Sequence, residues 1–222
     1  MNFDLDRIAI QIKSHRYFDL SKKVIENNEN HKNDPINEHL NRTFEKAKEF
    51  SDGNLITNLQ AKIEFKKILN NEISGIKKSD LLVITALLHD IGKIIIFLDG
   101  SKEIPLLKRK SNYNNSFPAH EYWGSILARE ILTEIKLPPE AIDFICKCIR
   151  LHNAGFNVWF EDLSNEERLW EIKLRSENIH FELIFGTYCD LFYGADFQDK
   201  LQLPIGVLNM PETYQEIAIK TI

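Results

Sequence analysis

The residues Leu87-Leu88-His89-Asp90-Ile91-Gly92-Lys93 close a segment that otherwise reads as buried core, SDLLVITALLHDIGKIIIF. An imidazole and a carboxylate side by side in apolar surroundings need partners, because burying a bare carboxylate is expensive. A metal ion would satisfy Asp90, provided other side chains complete its coordination. Further donors sit where apolar segments begin, end or are interrupted. His39 lies on the core-facing stripe of PINEHLNRTFEKAKEF, and His120 opens AHEYWGSILAREIL. His152 closes AIDFICKCIRLH, and Asp190 interrupts FELIFGTYCDLFYG.

Each has a plain structural alternative. His39 could be a hydrogen-bonded packing residue, His152 a helix C-cap and His120 an N-terminal cap, with Asp190 paired to Arg42 or Arg150. Together, four histidines and two aspartates spread over five helical segments offer enough donors for two divalent cations. Imidazole plus carboxylate without thiolate suits Fe, Mn, Zn, Co or Ni.

These donors must be carried by helices. Apolar residues recur at helical spacing along most of the chain, and glycine and proline are scarce, so the expected fold class is all-α. An N-terminal helix is expected over 4–27, followed by the polar gap NNENHKND. Asp34 reads as the cap of the next helix with Pro35 at its first position, and Ile36, His39, Leu40, Phe44 and Ala47 form its stripe. Gly53 ends it, another helix follows near 57–70, and Ser79 caps the apolar helix 80–90, which Gly92 breaks. The stretch 99–117 reads as a loop. Helices resume over 118–136, 139–152, 164–174 and 177–194, the third with a capping-box pattern at Ser164 and Glu167.

At 222 residues and 43% hydrophobic, the chain can bury one good core. Its net charge of −5 supplies no basic field for long nucleic-acid tracts, although one local cluster would serve a nucleotide or a short end. Three cysteines, with Cys146 and Cys148 on different helix faces, fit neither a CxxC site nor a disulfide framework, and point to a reducing cytoplasm. The N-terminus lacks the basic and apolar regions of a signal peptide. No apolar run approaches the roughly 18 residues of a membrane span.

The order His39, His89-Asp90, His120, His152, Asp190, with the local text HDIGK, resembles the HD-domain metal-dependent phosphohydrolase superfamily. The resemblance covers roughly 34–194. FPAHEYWGSILAREILTEIKLPPEAIDFICKCIRLHN is similar to the HD domains attached to some tRNA nucleotidyltransferases. The implied organisation is an N-terminal helix and polar linker over 1–33, a single helical HD-type domain over 34–194, and a C-terminal extension over 195–222 packing on it.

The resemblance implies a binuclear centre in which Asp90 bridges two ions, His39, His89 and Asp190 hold one, and His120 and His152 the other. The expected activity is hydrolysis of a phosphoester or phosphoanhydride, in a nucleotide or a short RNA end, by metal-activated water. Lys93 would neutralise phosphoryl oxygens or assist the leaving group, and Arg42 would clamp a non-bridging oxygen. Their structural alternatives are a solvated lysine and a salt bridge to Asp190 or Glu38. Lys108, Arg109, Lys110 and Tyr113 could hold a nucleotide, and Phe156, Trp159 and Phe160 could stack on a base. His31 is the fallback for His39; His15 and His180 are read as non-ligands. No membrane partner is expected, and a homo-oligomer is compatible with the sequence.

Departures narrow the subgroup. Lys93 and Ile94 replace the paired acids of guanosine-tetraphosphate hydrolases, and no Gly-Tyr-Pro motif of cyclic-di-GMP phosphodiesterases occurs. IGK lacks the spaced glycine of a P-loop, and there is no nucleotidyltransferase domain. Two other readings stay open: a di-iron HD-type oxygenase with the same ligand order, and a non-catalytic nucleotide-binding helical domain.

Overall fold

A computed structural model describes residues 3–25, 34–52, 59–98, 117, 119–160 and 163–190. The described residues form an all-α fold with one two-stranded hairpin, as the helical periodicity predicts. At its centre is α5 (Lys78–Leu88), in which every residue from Leu81 to Leu88 is buried. A helix that is apolar all round must be enclosed. It is enclosed by α3 (Ile36–Ser51), α7 (Pro139–Phe160) and α9 (His180–Cys189). The chain leaves α5 through His89, its C-cap, and Asp90 (φ −103°, ψ 8°), then winds into a 3-10 helix over Ile91–Phe97. Against that 3-10 helix packs α6 (His120–Glu134), which also lies along α7.

Several local expectations are corrected. The helix expected over 4–27 is two helices, α1 (Leu5–Lys13) and α2 (Arg16–Ser21). The Ser14 hydroxyl bonds back to the Ile10 carbonyl, and His15 turns extended to cap α2, its Nδ1 accepting from the Tyr17 amide at 3.2 Å. Asp34 does not cap α3; Pro35 occupies the N-cap position, and the Asp34 carboxylate accepts from Arg42 instead. Ser79 caps nothing, because α5 begins at Lys78 directly after a short hairpin, β1 (Glu72–Ile73) and β2 (Ile76–Lys77). The hairpin turns at Ser74 and Gly75 (φ 52° and 77°), a Ser-Gly signal with no counterpart among the expected elements.

Gly92 is not the breaker of α5, which ends earlier, at Leu88. Nor does His152 close its helix, since α7 continues to Phe160. The helix near 57–70 is α4 (Leu59–Leu69), and α8 (Asn165–Arg175) carries the expected capping box from Ser164 and Glu167. Of the loop expected over 99–117 only Phe117 is described; residues 99–116, the gap over 26–33 and the extension over 195–222 lie outside the described residues. So do Gly53, His31, Lys108, Arg109, Lys110 and Tyr113, and the side chains of Phe156, Trp159 and Phe160.

The start of α2 braces α6. Tyr17 donates its hydroxyl to Glu130 at 2.8 Å, Arg16 donates to the same carboxylate at 3.1 Å, and His15 lies 3.2 Å from Glu134. No described helix is long and apolar enough to cross a membrane.

Candidate metal centre

The six donors expected from the sequence converge on one buried spot, arriving from separate elements. His39 comes from α3, His89 and Asp90 from the end of α5, His120 from the first residue of α6, His152 from within α7, and Asp190 from the C-cap of α9. They form two triangles of donor atoms. In the first, His39 Nε2 lies 3.0 Å from His89 Nε2 and 3.2 Å from Asp190 Oδ1, which is 3.6 Å from His89 Nε2. In the second, His120 Nε2 lies 3.3 Å from His152 Nε2 and 3.2 Å from Asp90 Oδ1, which is 3.6 Å from His152 Nε2. Asp90 belongs to both: its Oδ2 faces the first triangle, 3.3 Å from His39 Nε2 and 3.4 Å from His89 Nε2.

These spacings match a shared cation. Donors about 2.1 Å from one ion, at tetrahedral or octahedral angles, stand roughly 3.0–3.4 Å from each other. The tautomers agree. His89, His120 and His152 each donate Nδ1–H to the carbonyl three residues earlier, on Ala86, Phe117 and Ile149, at 2.9, 2.7 and 2.6 Å. That bond leaves the Nε2 lone pair pointing inward, as it must to ligate. With both Nδ1 atoms donating, the Nε2 lone pairs of neutral His120 and His152, 3.3 Å apart, repel each other unless a positive charge lies between them. The donor set therefore fits divalent metal ions.

The electrostatics follow the same geometry. Burial alone would raise the Asp90 carboxyl, but the Lys93 ammonium and His89 hold it well below the usual carboxylate range. Asp190, whose side chain is 20% exposed, is held low by His89 and His39. Burial pulls the His89 imidazolium down; Asp90 and Asp190 outweigh it and raise its pKa to about 10. His39 and His120 are raised in the same way, by Asp190 and Asp90 for His39 and by Asp90 for His120. For His152 burial wins, and its pKa falls. The three cysteines are buried, with their thiols pushed up by burial (Cys146 to about 11), so none offers a thiolate to the site.

Lys93 is buried rather than solvated, at 7% exposure, its ammonium 2.6 Å from Asp90 Oδ2 and 5.7 Å from the centre of the Phe117 ring. Arg42 stands one turn from His39 and pairs with Asp34 at 2.9 Å, not with Glu38 or Asp190. Two neighbours of the donors escape sequence reasoning: Glu121 and Asn153, which hydrogen-bond to each other across α6 and α7. The signal was their adjacency to His120 and His152.

The fold and the donor set define an all-helical metal-binding domain. A scan against protein families matches residues 38–172 to the HD domain, and the chain belongs to that family of metal-dependent hydrolases. A search of curated proteins finds no match.

Proposed function

We propose that the protein is a phosphohydrolase, cleaving a phosphoester or phosphoanhydride in a nucleotide or a short RNA end. The single observation that carries this reading is the pair of donor triangles sharing Asp90. His39, His89, Asp90 and Asp190 would hold one ion, and Asp90, His120 and His152 the other. Two such ions supply Lewis acidity and a water acidic enough to attack phosphorus near neutral pH.

The chain's own residues do the rest. Asp90 presents one oxygen to each triangle and so fixes their separation. The carbonyls of Ala86, Phe117 and Ile149 hold three imidazoles in the ligating tautomer. Lys93 brings a buried positive charge to the edge of Asp90, where the oxygens of a phosphoryl group would gather negative charge. Arg42, its side chain 35% exposed, brings a planar guanidinium to the His39 side. The net charge of −5 argues for a small substrate over a long nucleic acid.

The test is turnover by metal-loaded protein on a panel of nucleotide phosphoesters, dinucleoside polyphosphates, cyclic phosphates and aryl phosphates. Metal-stimulated release of phosphate or nucleotide is expected. No turnover on any of them with Mn, Fe, Co, Ni or Zn removes the proposal.

A further inference from the structure

We infer that the hydrogen bond between Glu121 and Asn153 is a latch that sets the affinity of the second donor triangle for its ion, and of that triangle alone. The inference rests on the proposed reading that both triangles hold divalent ions.

The two triangles are held differently. His39 and His89 belong to helices that pack directly on each other in the core, and their side chains are 1% and 5% exposed. Among the imidazoles, His120 and His152 are the more open, at 14% and 13%, although Asp190 of the first triangle is 20% exposed. His120 is also the first residue of α6, preceded by Ala119 in the left-handed region and by no capping side chain. First turns without a cap fray readily. The Nδ1 bonds of His120 and His152 each return to the carbonyl three residues earlier, so neither bond ties α6 to α7.

Two polar ties join the helices at this level, the Arg150 guanidinium over the Tyr122 ring at 5.7 Å and the latch, and the latch is the one next to both histidines. Glu121 follows His120, Asn153 follows His152, and the Asn153 amide donates to Glu121 Oε1. The other carboxylate oxygen, Oε2, stands 3.6 Å from His120 Nδ1. One carboxylate therefore spans the two helices that carry the two imidazoles and also places negative charge beside one of them. Breaking the bond frees the 3.3 Å Nε2 to Nε2 spacing to widen. Taking away the charge makes His120 a weaker donor. Outer partners of this kind typically change metal affinity about 10–100-fold. Glu121 and Asn153 act through the histidines and are positioning residues.

The experiment is calorimetric titration of metal-free, full-length protein with Mn(II), repeated with Co(II) while recording its visible absorption. Two binding steps are expected for the wild type. Glu121→Ala and Asn153→Ala should weaken one step by about 10–100-fold, leave the other unchanged, and alter the absorption of only one Co(II) equivalent. Glu121→Gln, which keeps an acceptor for Asn153 but not the charge beside His120, should recover only the part of the affinity that the hydrogen bond carries, and serves as the readable variant if the alanine forms do not fold. Equal weakening of both steps would reduce the pair to general scaffolding and overturn the latch. Two undisturbed steps in the variants overturn the latch alone. A wild type that takes up a single ion overturns it together with the two-ion reading beneath it.

Discussion

Gly92 lies so close to the His120 carbonyl that a β-carbon built on it would stand 2.0 Å from that oxygen and 2.4 Å from the Gly124 amide nitrogen. Gly124 returns the approach, with its own β position 3.4 Å from the Gly92 nitrogen and from the His89 carbonyl. The backbone just after the His89-Asp90 pair is thus pressed onto the first turn of α6. That contact sets His120 beside Asp90. Gly92→Ala must drive the two apart, at an overpacking cost of about 1–3 kcal/mol or more. A lowered melting temperature, with loss of the second ion ahead of the first in a metal titration, is the expected outcome.

Asp90 and Asp190 should separate cleanly. Asp190 touches the first triangle only, whereas the two oxygens of Asp90 face different triangles. Asp90→Asn should therefore weaken both binding steps and reduce turnover by more than the roughly 100-fold that loss of an outer partner can cause. Asp190→Asn should weaken one step. Elemental analysis of each variant after dialysis against limiting metal checks this.

The metal-free protein should lose stability with rising pH. His89 has a folded pKa of about 10, raised above its ordinary value of 6.5 by Asp90 and Asp190, and His39 and His120 are also raised. A raised pKa contributes stability that is complete below the unfolded value and is lost as pH climbs through the folded one. Melting temperatures of the apoprotein should accordingly decline between about pH 6.5 and pH 10. Below that window the sign reverses: His152, with a lowered pKa, and the depressed carboxyls of Asp90 and Asp190 lose their contributions as pH falls. Added Mn(II) or Zn(II) should flatten the alkaline decline, because ions replace the protons. An apoprotein as stable at pH 9.5 as at pH 7 would contradict the charge assignment.

Lys93→Met retains most of the side-chain volume and removes the ammonium beside Asp90 Oδ2. If Lys93 stabilises charge on a phosphoryl group, turnover should fall about 10²–10³-fold, the loss typical of one such donor. Both ions should remain bound. Loss of metal along with activity would instead make Lys93 a support for Asp90. Steady-state kinetics beside metal stoichiometry distinguishes the two.

Much of the site was legible because its cost is local. A carboxylate between Leu88 and Ile91, or after Cys189, announces an unusual partner whatever the fold. The all-α class was legible for a similar reason, since apolar residues at helical spacing mark their own element. What escaped depends on the neighbouring backbone. Asp34 and Ser79 have the composition of caps, but capping needs an extended residue just before the first helical turn, and Pro35 and Lys77 occupy those places. The break between α1 and α2 is made by the Ser14 hydroxyl bonding back to Ile10 and by the extended backbone at His15, neither of which helical spacing of apolar residues records. His152 reads as a terminus at the end of AIDFICKCIRLH, although α7 runs on to Phe160. Glu121 and Asn153 could be paired only once α6 and α7 lay side by side.

The bracing of α6 by Tyr17, Arg16 and His15, and the delivery of Asp190 by α9, bear on how the protein can be handled. The stretch matched to the HD domain, 38–172, contains neither. A fragment cut to those limits would discard one donor of the first triangle and strip the buttress from the helix that carries His120. Weak metal retention by such a fragment would reflect where it was cut, and would say nothing against the chemistry of the whole chain.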